Sequence, residues 1–261
     1  MRSILVHAGR DSAMPARLET GLAIARAFDG HLTLLIDTPI DRFVAIDPYG
    51  GTFVASQALE LAIADDDRLA EESVARLRSE EVPFDVVQFE LSPLEALSCA
   101  GRLADLIVLS RDCGFAGDLA LAARVPVLAV PPDKPLGVPV ATACLFWDGC
   151  AEASAALRLA VPLLAGCDSV HVLTVSDRRA AEFPATDAMR YLSRHGVTAE
   201  LHECPRENSV EETLLARTRE LGAELIVMGA YGHSRVRELM FGGVTRFFLN
   251  EPSAPAILLA H

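Results

Sequence analysis

The chain predicts two tandem doubly wound α/β domains, each a parallel sheet covered by helices on both faces. Three observations predict this fold. Short continuous apolar runs alternate with longer helical patterns, and strands without polar alternation belong to a parallel sheet buried on both sides. The same series of signals restarts in the second half of the chain. Between the two series lies Pro131-Pro132-Asp133-Lys134-Pro135-Leu136-Gly137-Val138-Pro139, which breaks any regular element.

The elements follow in order. Ile4-Leu5-Val6-His7 opens the first series as a β-rich run, and a helical pattern covers about Ser12 to Phe28. His31 to Ile36 is the next strand. A long connection from Thr38 to Ser56, with Pro39, Pro48, Gly50 and Gly51, reads as a packing flap or interface element. The helix from about Gln57 to Glu80 carries Asp65-Asp66-Asp67. Consecutive helical residues do not point at one ion, so this run reads as a solvated face. Ala104 to Ser110 and Val125 to Val130 complete the first series.

The second series runs in parallel. Ala143 to Trp147 matches the first strand, about Glu152 to Leu164 the first helix, and Val170 to Val175 the second strand. Ala223 to Gly229 matches Ala104 to Ser110, and Ala254 to Leu259 matches Val125 to Val130. The domains are therefore placed at 1–133 and 140–261.

Composition excludes several classes of function. The chain has 261 residues and 51% hydrophobic content, enough for packed cores. No apolar run reaches the roughly 18 residues of a membrane span, and Met1-Arg2-Ser3-Ile4-Leu5-Val6 reads as a first strand, not a signal peptide. A cytoplasmic location is expected. The formal net charge of −13 repels nucleic acid and anionic lipid. Cys99, Cys113, Cys144, Cys150, Cys167 and Cys204 show no C-x-x-C spacing. They read as reduced, mostly buried residues rather than a disulfide framework or zinc site.

The most informative stretch is Ala223 to Thr245. An apolar strand runs into Gly229-Ala230-Tyr231-Gly232; nine residues later comes Gly242-Gly243-Val244-Thr245, opening a helix over Val244 to Asn250. Glycines in this arrangement suit a loop whose backbone N–H groups face an anion. This G-x-x-G-x9-G spacing resembles the nucleotide loop of the universal stress protein family. Trp147-Asp148-Gly149, the segment Val170 to Val175 and the closing strand Ala256 to Ala260 fall in that family's order. The resemblance covers nearly all of the second half and reaches the first half more faintly.

The resemblance implies adenine nucleotide, ATP or AMP, at Asp148, Val175, Met228, Gly229, Gly232, Gly242, Gly243 and Thr245, with Mg²⁺ only through the phosphates. It implies Asp148 as an adenosine contact, with capping of the following helix as the alternative. Val175 offers mainly backbone hydrogen bonds to the base. Gly229 and Gly232 are phosphate-loop or simple turn glycines. The family pattern has Ser or Thr where this chain has Gly243, so a hydroxyl that reaches a terminal phosphate is missing while the N–H remains. Thr245 is a second hydroxyl of the pattern, or packs the first helical turn. Arg235 and Arg237 balance phosphate charge or are solvated, and His233 reads as a loop residue rather than a general base.

The first half departs further. Ala8-Gly9 stands where the second half has Asp148-Gly149, and few residues separate Ser110 from Val125-Pro126. Both losses fall on one site, which implies a degenerate domain kept for structure or partner contact. The leading expectation is a stress-response nucleotide sensor with little intrinsic catalysis, since the G-x-x-x-x-G-K-[ST] of P-loop ATPases is missing. One alternative is a nucleotidyl-transfer enzyme, because His7-Ala8-Gly9-Arg10 resembles an H-x-G-H signature with Arg10 for the second His. Another is a ligand-free scaffold. The unknowns are an unspecified protein partner and the assembly, an internal pseudo-dimer or a homodimer through the final strands.

Overall fold

The apolar runs form strands, and the helical patterns between them pack on both faces of one sheet. The computed structural model describes residues 1–46, 52–176, 183–232 and 243–261. Its first series is β1 (Ser3–Ala8), α1 (Met14–Ala27), β2 (His31–Asp37), β3 (Val44–Ile46), β4 (Thr52–Val54), α2 (Ser56–Leu77), β5 (Phe84–Phe89), α3 (Pro93–Ala100), β6 (Leu106–Ser110), α4 (Ala116–Ala123) and β7 (Val127–Val130). The second is β8 (Thr142–Phe146), α5 (Ala151–Leu164), β9 (Ser169–Ser176), α6 (Ala185–Arg194), β10 (Ala199–Pro205), α7 (Val210–Glu220), β11 (Leu225–Gly229), α8 (Val244–Asn250) and β12 (Ala256–Ala260).

The main sheet has the order β10-β9-β8-β11-β12-β7-β6-β1-β2-β5. Within each series the winding direction reverses beside the first strand, between β1 and β6 and again between β8 and β11. Crevices for ligands open at the carboxyl ends of strands at such points. Neighbouring strands are parallel except β12 and β7, which pair antiparallel with Leu258 opposite Leu128. The final strands of the two series are thus interior, each with neighbours on both sides. Of the two alternatives for the final strands, an internal pseudo-dimer or a homodimer, the pairing of β7 with β12 within the chain is the internal one.

Alternation along the strands divides the core between the sheet's two faces. Leu128 and Leu258 are fully buried on one face, and Val127 and Ile257 on the other. Each core runs through both halves. Burying a side chain of this size contributes about 1.5–3 kcal/mol. The linker joins the same core: Leu136 and Val140 are buried, and the Leu136 N–H donates to Thr20 Oγ1 of α1 at 2.9 Å. The buried Arg111, just past β6, reaches across to donate to the carbonyls of Pro252 (3.0 Å) and Ala254 ahead of β12.

The long connection is partly built as a hairpin. β3 and β4 pair antiparallel, and Thr38 Oγ1 donates to Asp66 Oδ2 at 2.5 Å. Asp65 pairs with Arg68 at 3.0 Å and Asp67 accepts from Gln88 Nε2 at 3.0 Å. The acidic run therefore points three ways, and burial raises the Asp66 pKa despite the Thr38 hydrogen bond. All six cysteines are free, but only Cys144, Cys150 and Cys204 are buried.

Candidate functional site

The second crevice is built where β8 and β11 end side by side. The β8–β9 ladder continues past Phe146 through the Trp147 N–H to the Leu173 carbonyl, 2.9 Å, and the chain then turns at Asp148-Gly149. Gly149 has φ 81°, a left-handed conformation that glycine adopts without strain. Asp148 is exposed, and its Oδ1 accepts from the Cys150 N–H at 3.0 Å. Cys150 is the N-cap of α5, its Sγ accepting from the Ala153 N–H at 3.3 Å. Burial, then the adjacent Asp148, raises the Cys150 pKa, so the thiol stays protonated. The helix-cap alternative for Asp148 is accordingly amended: Asp148 fixes the turn, and Cys150 caps the helix.

Glycines let the end of β11 approach this turn. A Cβ on Gly229 would lie 2.6 Å from the Ala153 N and 2.7 Å from the Glu152 carbonyl carbon. On Gly232 it would lie 2.8 Å from Cys150 Sγ and 3.7 Å from Asp148 Oδ2. Asp148, Gly229 and Gly232 therefore meet at one switch point. Thr245 is buried, and its Oγ1 accepts from the Tyr231 N–H at 3.3 Å, tying α8 to the same loop. Tyr231 has φ 55°, and its ring lies against Gly117 of α4, where a Cβ would collide with the phenol.

The remaining predicted residues are placed less centrally. Val175 is half-buried near the end of β9, beside Cys204 of β10. Met228 is buried among apolar side chains of the α8 face, which leaves its backbone as the part near the strand end. Gly243 directly precedes α8 with φ −65° and ψ −159°. Gly242, His233, Arg235 and Arg237 lie outside the described residues. The sequence reading missed Cys150, Glu152 and Tyr231. Cys150 follows an Asp-Gly turn three residues before a helical N–H that it caps, a signal normally sought only in Ser, Thr, Asp or Asn.

The first crevice has different contents. Arg17 is buried beside the ends of β1 and β6, donating to the His7 carbonyl (2.9 Å), Ser110 Oγ (2.5 Å), and Asp11 Oδ1 and Oδ2 (2.8 and 2.7 Å). Burial acts to raise the Asp11 pKa, but the Arg17 hydrogen bond and charge outweigh it and lower the carboxyl below its ordinary value. A Cβ on Gly9 would lie 2.7 Å from Asp11 Oδ2. His7 Nε2 is 2.6 Å from Asp37 Oδ1, its Nδ1 is buried without a partner among the described residues, and Phe115 packs edge-on against the ring.

Among the described residues no helix is long and apolar enough to cross a membrane. No protein-family model matches the sequence, and no curated protein matches it. Solved structures do. A universal stress protein from Archaeoglobus fulgidus matches with a TM-score of 0.71 and 15% identity, over 99% of this chain and 96% of that one. A functionally unknown protein from Pseudomonas aeruginosa matches with a TM-score of 0.60 and 17% identity, over 100% and 92%. A candidate universal stress protein from Pseudomonas aeruginosa matches at 0.59 and 18%, over 100% and 93%. Over its whole length, with the unit repeated in tandem, this chain has the universal stress protein fold.

Proposed function

We propose that this chain is a tandem universal stress protein whose second half binds an adenine nucleotide, ATP or AMP, as a cytoplasmic stress-response sensor. Its first half, residues 1–133, serves structure or a protein partner. The carrying observation is the asymmetry of the two switch points. In the first, the Arg17 guanidinium and Asp11 fill the space between β1 and β6 with the protein's own charges. In the second, among the described residues, the Asp148 carboxylate stands beside Gly232, and Gly229 lies against the first turn of α5. A nucleotide there would meet the Asp148 carboxylate at the ribose end and the loop N–H groups at the phosphate end. Mg²⁺ would enter only with the phosphates.

The test is calorimetric titration with ATP and with AMP, expected to give about one nucleotide per chain. Asp148→Ala is expected to weaken binding by roughly 1–3 kcal/mol, the loss of a charge-assisted hydrogen bond. Two equivalent sites, or unchanged affinity in the variant, would count against the reading.

Gly243→Ser examines the phosphate end. The φ of −65° suits any residue, and serine at a helix N-cap is more favourable than glycine by a few tenths of a kcal/mol, on the order of 0.3. The melting temperature should therefore hold or rise slightly. ATP affinity should rise relative to AMP by up to roughly 1.5–3 kcal/mol, one charge-assisted hydrogen bond. An unchanged ATP-to-AMP ratio would remove Gly243 from the terminal phosphate.

The nucleotidyl-transfer reading has less support. Its acid would be His7, whose Nε2 is taken by Asp37 and whose Nδ1 is buried. Neither ring nitrogen is presented to a substrate as a general acid requires.

A further inference from the structure

A cluster away from both switch points carries its own chemistry. In the parallel β9–β10 register Glu200 lies beside His171, with His202 two residues further along β10. Side chains alternate along a strand, so all three share a face, while Val172 and Leu201 face the core on the other side. His171 Nδ1 is 3.0 Å from His202 Nε2, and Glu200 Oε2 is 3.6 Å from the first and 3.7 Å from the second.

These separations are those of metal ligands. A tetrahedral Zn²⁺ with bonds of about 2.0–2.2 Å holds its ligand atoms roughly 3.3–3.5 Å apart. The three atoms need move only by tenths of an ångström. Both imidazoles are shielded, at 12% and 11% side-chain exposure, whereas Glu200 is 69% exposed and leaves a path from solvent.

Arg217 of α7 opposes the metal. Its Nη2 lies 3.0 Å from His202 Nδ1, and its Nη1 donates to Glu220 at 2.6 Å. Arginine only donates, so Nδ1 accepts and the proton of neutral His202 sits on Nε2, pointing at His171. Ligation through Nε2 requires that proton to move to Nδ1 and Arg217 to turn away, keeping Glu220.

We propose that His171, Glu200 and His202 form a divalent-metal site of the zinc class, three protein ligands with a fourth position open to solvent, and that Arg217 closes it in the metal-free state. His₂Glu sets of this kind accept Zn²⁺ and Co²⁺. The proposal does not depend on nucleotide binding.

The full chain, stripped with a chelator and dialysed, is titrated with Co²⁺ and then with Zn²⁺ against a chromogenic chelator. The expected result is about one ion per chain, with tetrahedral Co²⁺ bands in the visible and no near-ultraviolet thiolate band. His202→Ala should abolish binding. Glu200→Gln, at an exposed position that tolerates change, should weaken it by more than the roughly 10–100-fold typical of outer-shell partners. Arg217→Ala should tighten it by about tenfold or more, the reverse of what loss of a merely structural contact does. Circular dichroism checks each variant's fold. Binding that survives Glu200→Gln, a thiolate band, weaker binding in Arg217→Ala, or no binding below millimolar Zn²⁺ would overturn the proposal.

Discussion

Arg111→Ala should lower the melting temperature by roughly 6–12 °C, taking about 3 kcal/mol of lost stability and about 2–4 °C per kcal/mol for chains of this size. The side chain is buried and donates to two carbonyls of the other half, Pro252 and Ala254. Hydrogen bonds to charged groups contribute roughly 1.5–3 kcal/mol each. Part of that is offset because truncation also removes the cost of burying a guanidinium, a cost that lowers the Arg111 pKa. Without the side chain both carbonyls lose their donor at the place where β12 enters its pairing with β7. Arg111→Lys should recover only part of the loss, since an ammonium lacks the fork that spans two acceptors. Thermal melts of the three proteins decide it. An unchanged midpoint in the alanine variant would mean that the β7–β12 ladder and the cores beneath it join the halves unaided.

The central strands were legible because burial on both faces leaves an apolar run with no other reading. Leu106 to Ser110 and Val127 to Val130 are buried at every position. The edge strands were not. β5 and β10 each have only one covered side, and in Phe84–Phe89 and Ala199–Pro205 exposed residues interrupt the apolar ones. The same loss of continuity hid the His171, Glu200 and His202 cluster, which arises from pairing across two strands 29 residues apart in register. The meeting of Asp148 with Gly229 and Gly232 was legible from an ordered motif. The filling of the first crevice was not, because Arg17 lies inside a helix and nothing in its neighbours marks it as pointing inward. The sequence recorded a missing carboxylate at Ala8, and folding put another charged pair, Arg17 and Asp11, beside that strand end.

Gly229→Ala separates the two reasons a glycine can stand at the end of β11. If Gly229 serves only to present its N–H to a phosphate, an added methyl group leaves stability alone and weakens ligand binding. The packing argues otherwise. The Cβ would come within 2.6 Å of the Ala153 nitrogen and 2.7 Å of the Glu152 carbonyl carbon, both backbone atoms in the first turn of α5. Backbone cannot rotate out of the way, so the helix must shift, and overpacking of this kind costs about 1–3 kcal/mol. The expected result lies near the upper end, a fall of roughly 6–12 °C at about 2–4 °C per kcal/mol. Nucleotide affinity should fall with it, since a displaced α5 carries the Asp148 turn along. Gly232→Ala is the internal control: its nearest neighbour is the Cys150 Sγ at 2.8 Å, a side-chain atom that can yield by rotation at the cost of its cap on the Ala153 N–H, about 1 kcal/mol, with no shift of backbone. It should therefore destabilise less than Gly229→Ala. If the two variants melt in the reverse order, the approach of α5 to β11 is not what requires glycine at position 229, and the anion-facing N–H becomes the better reason.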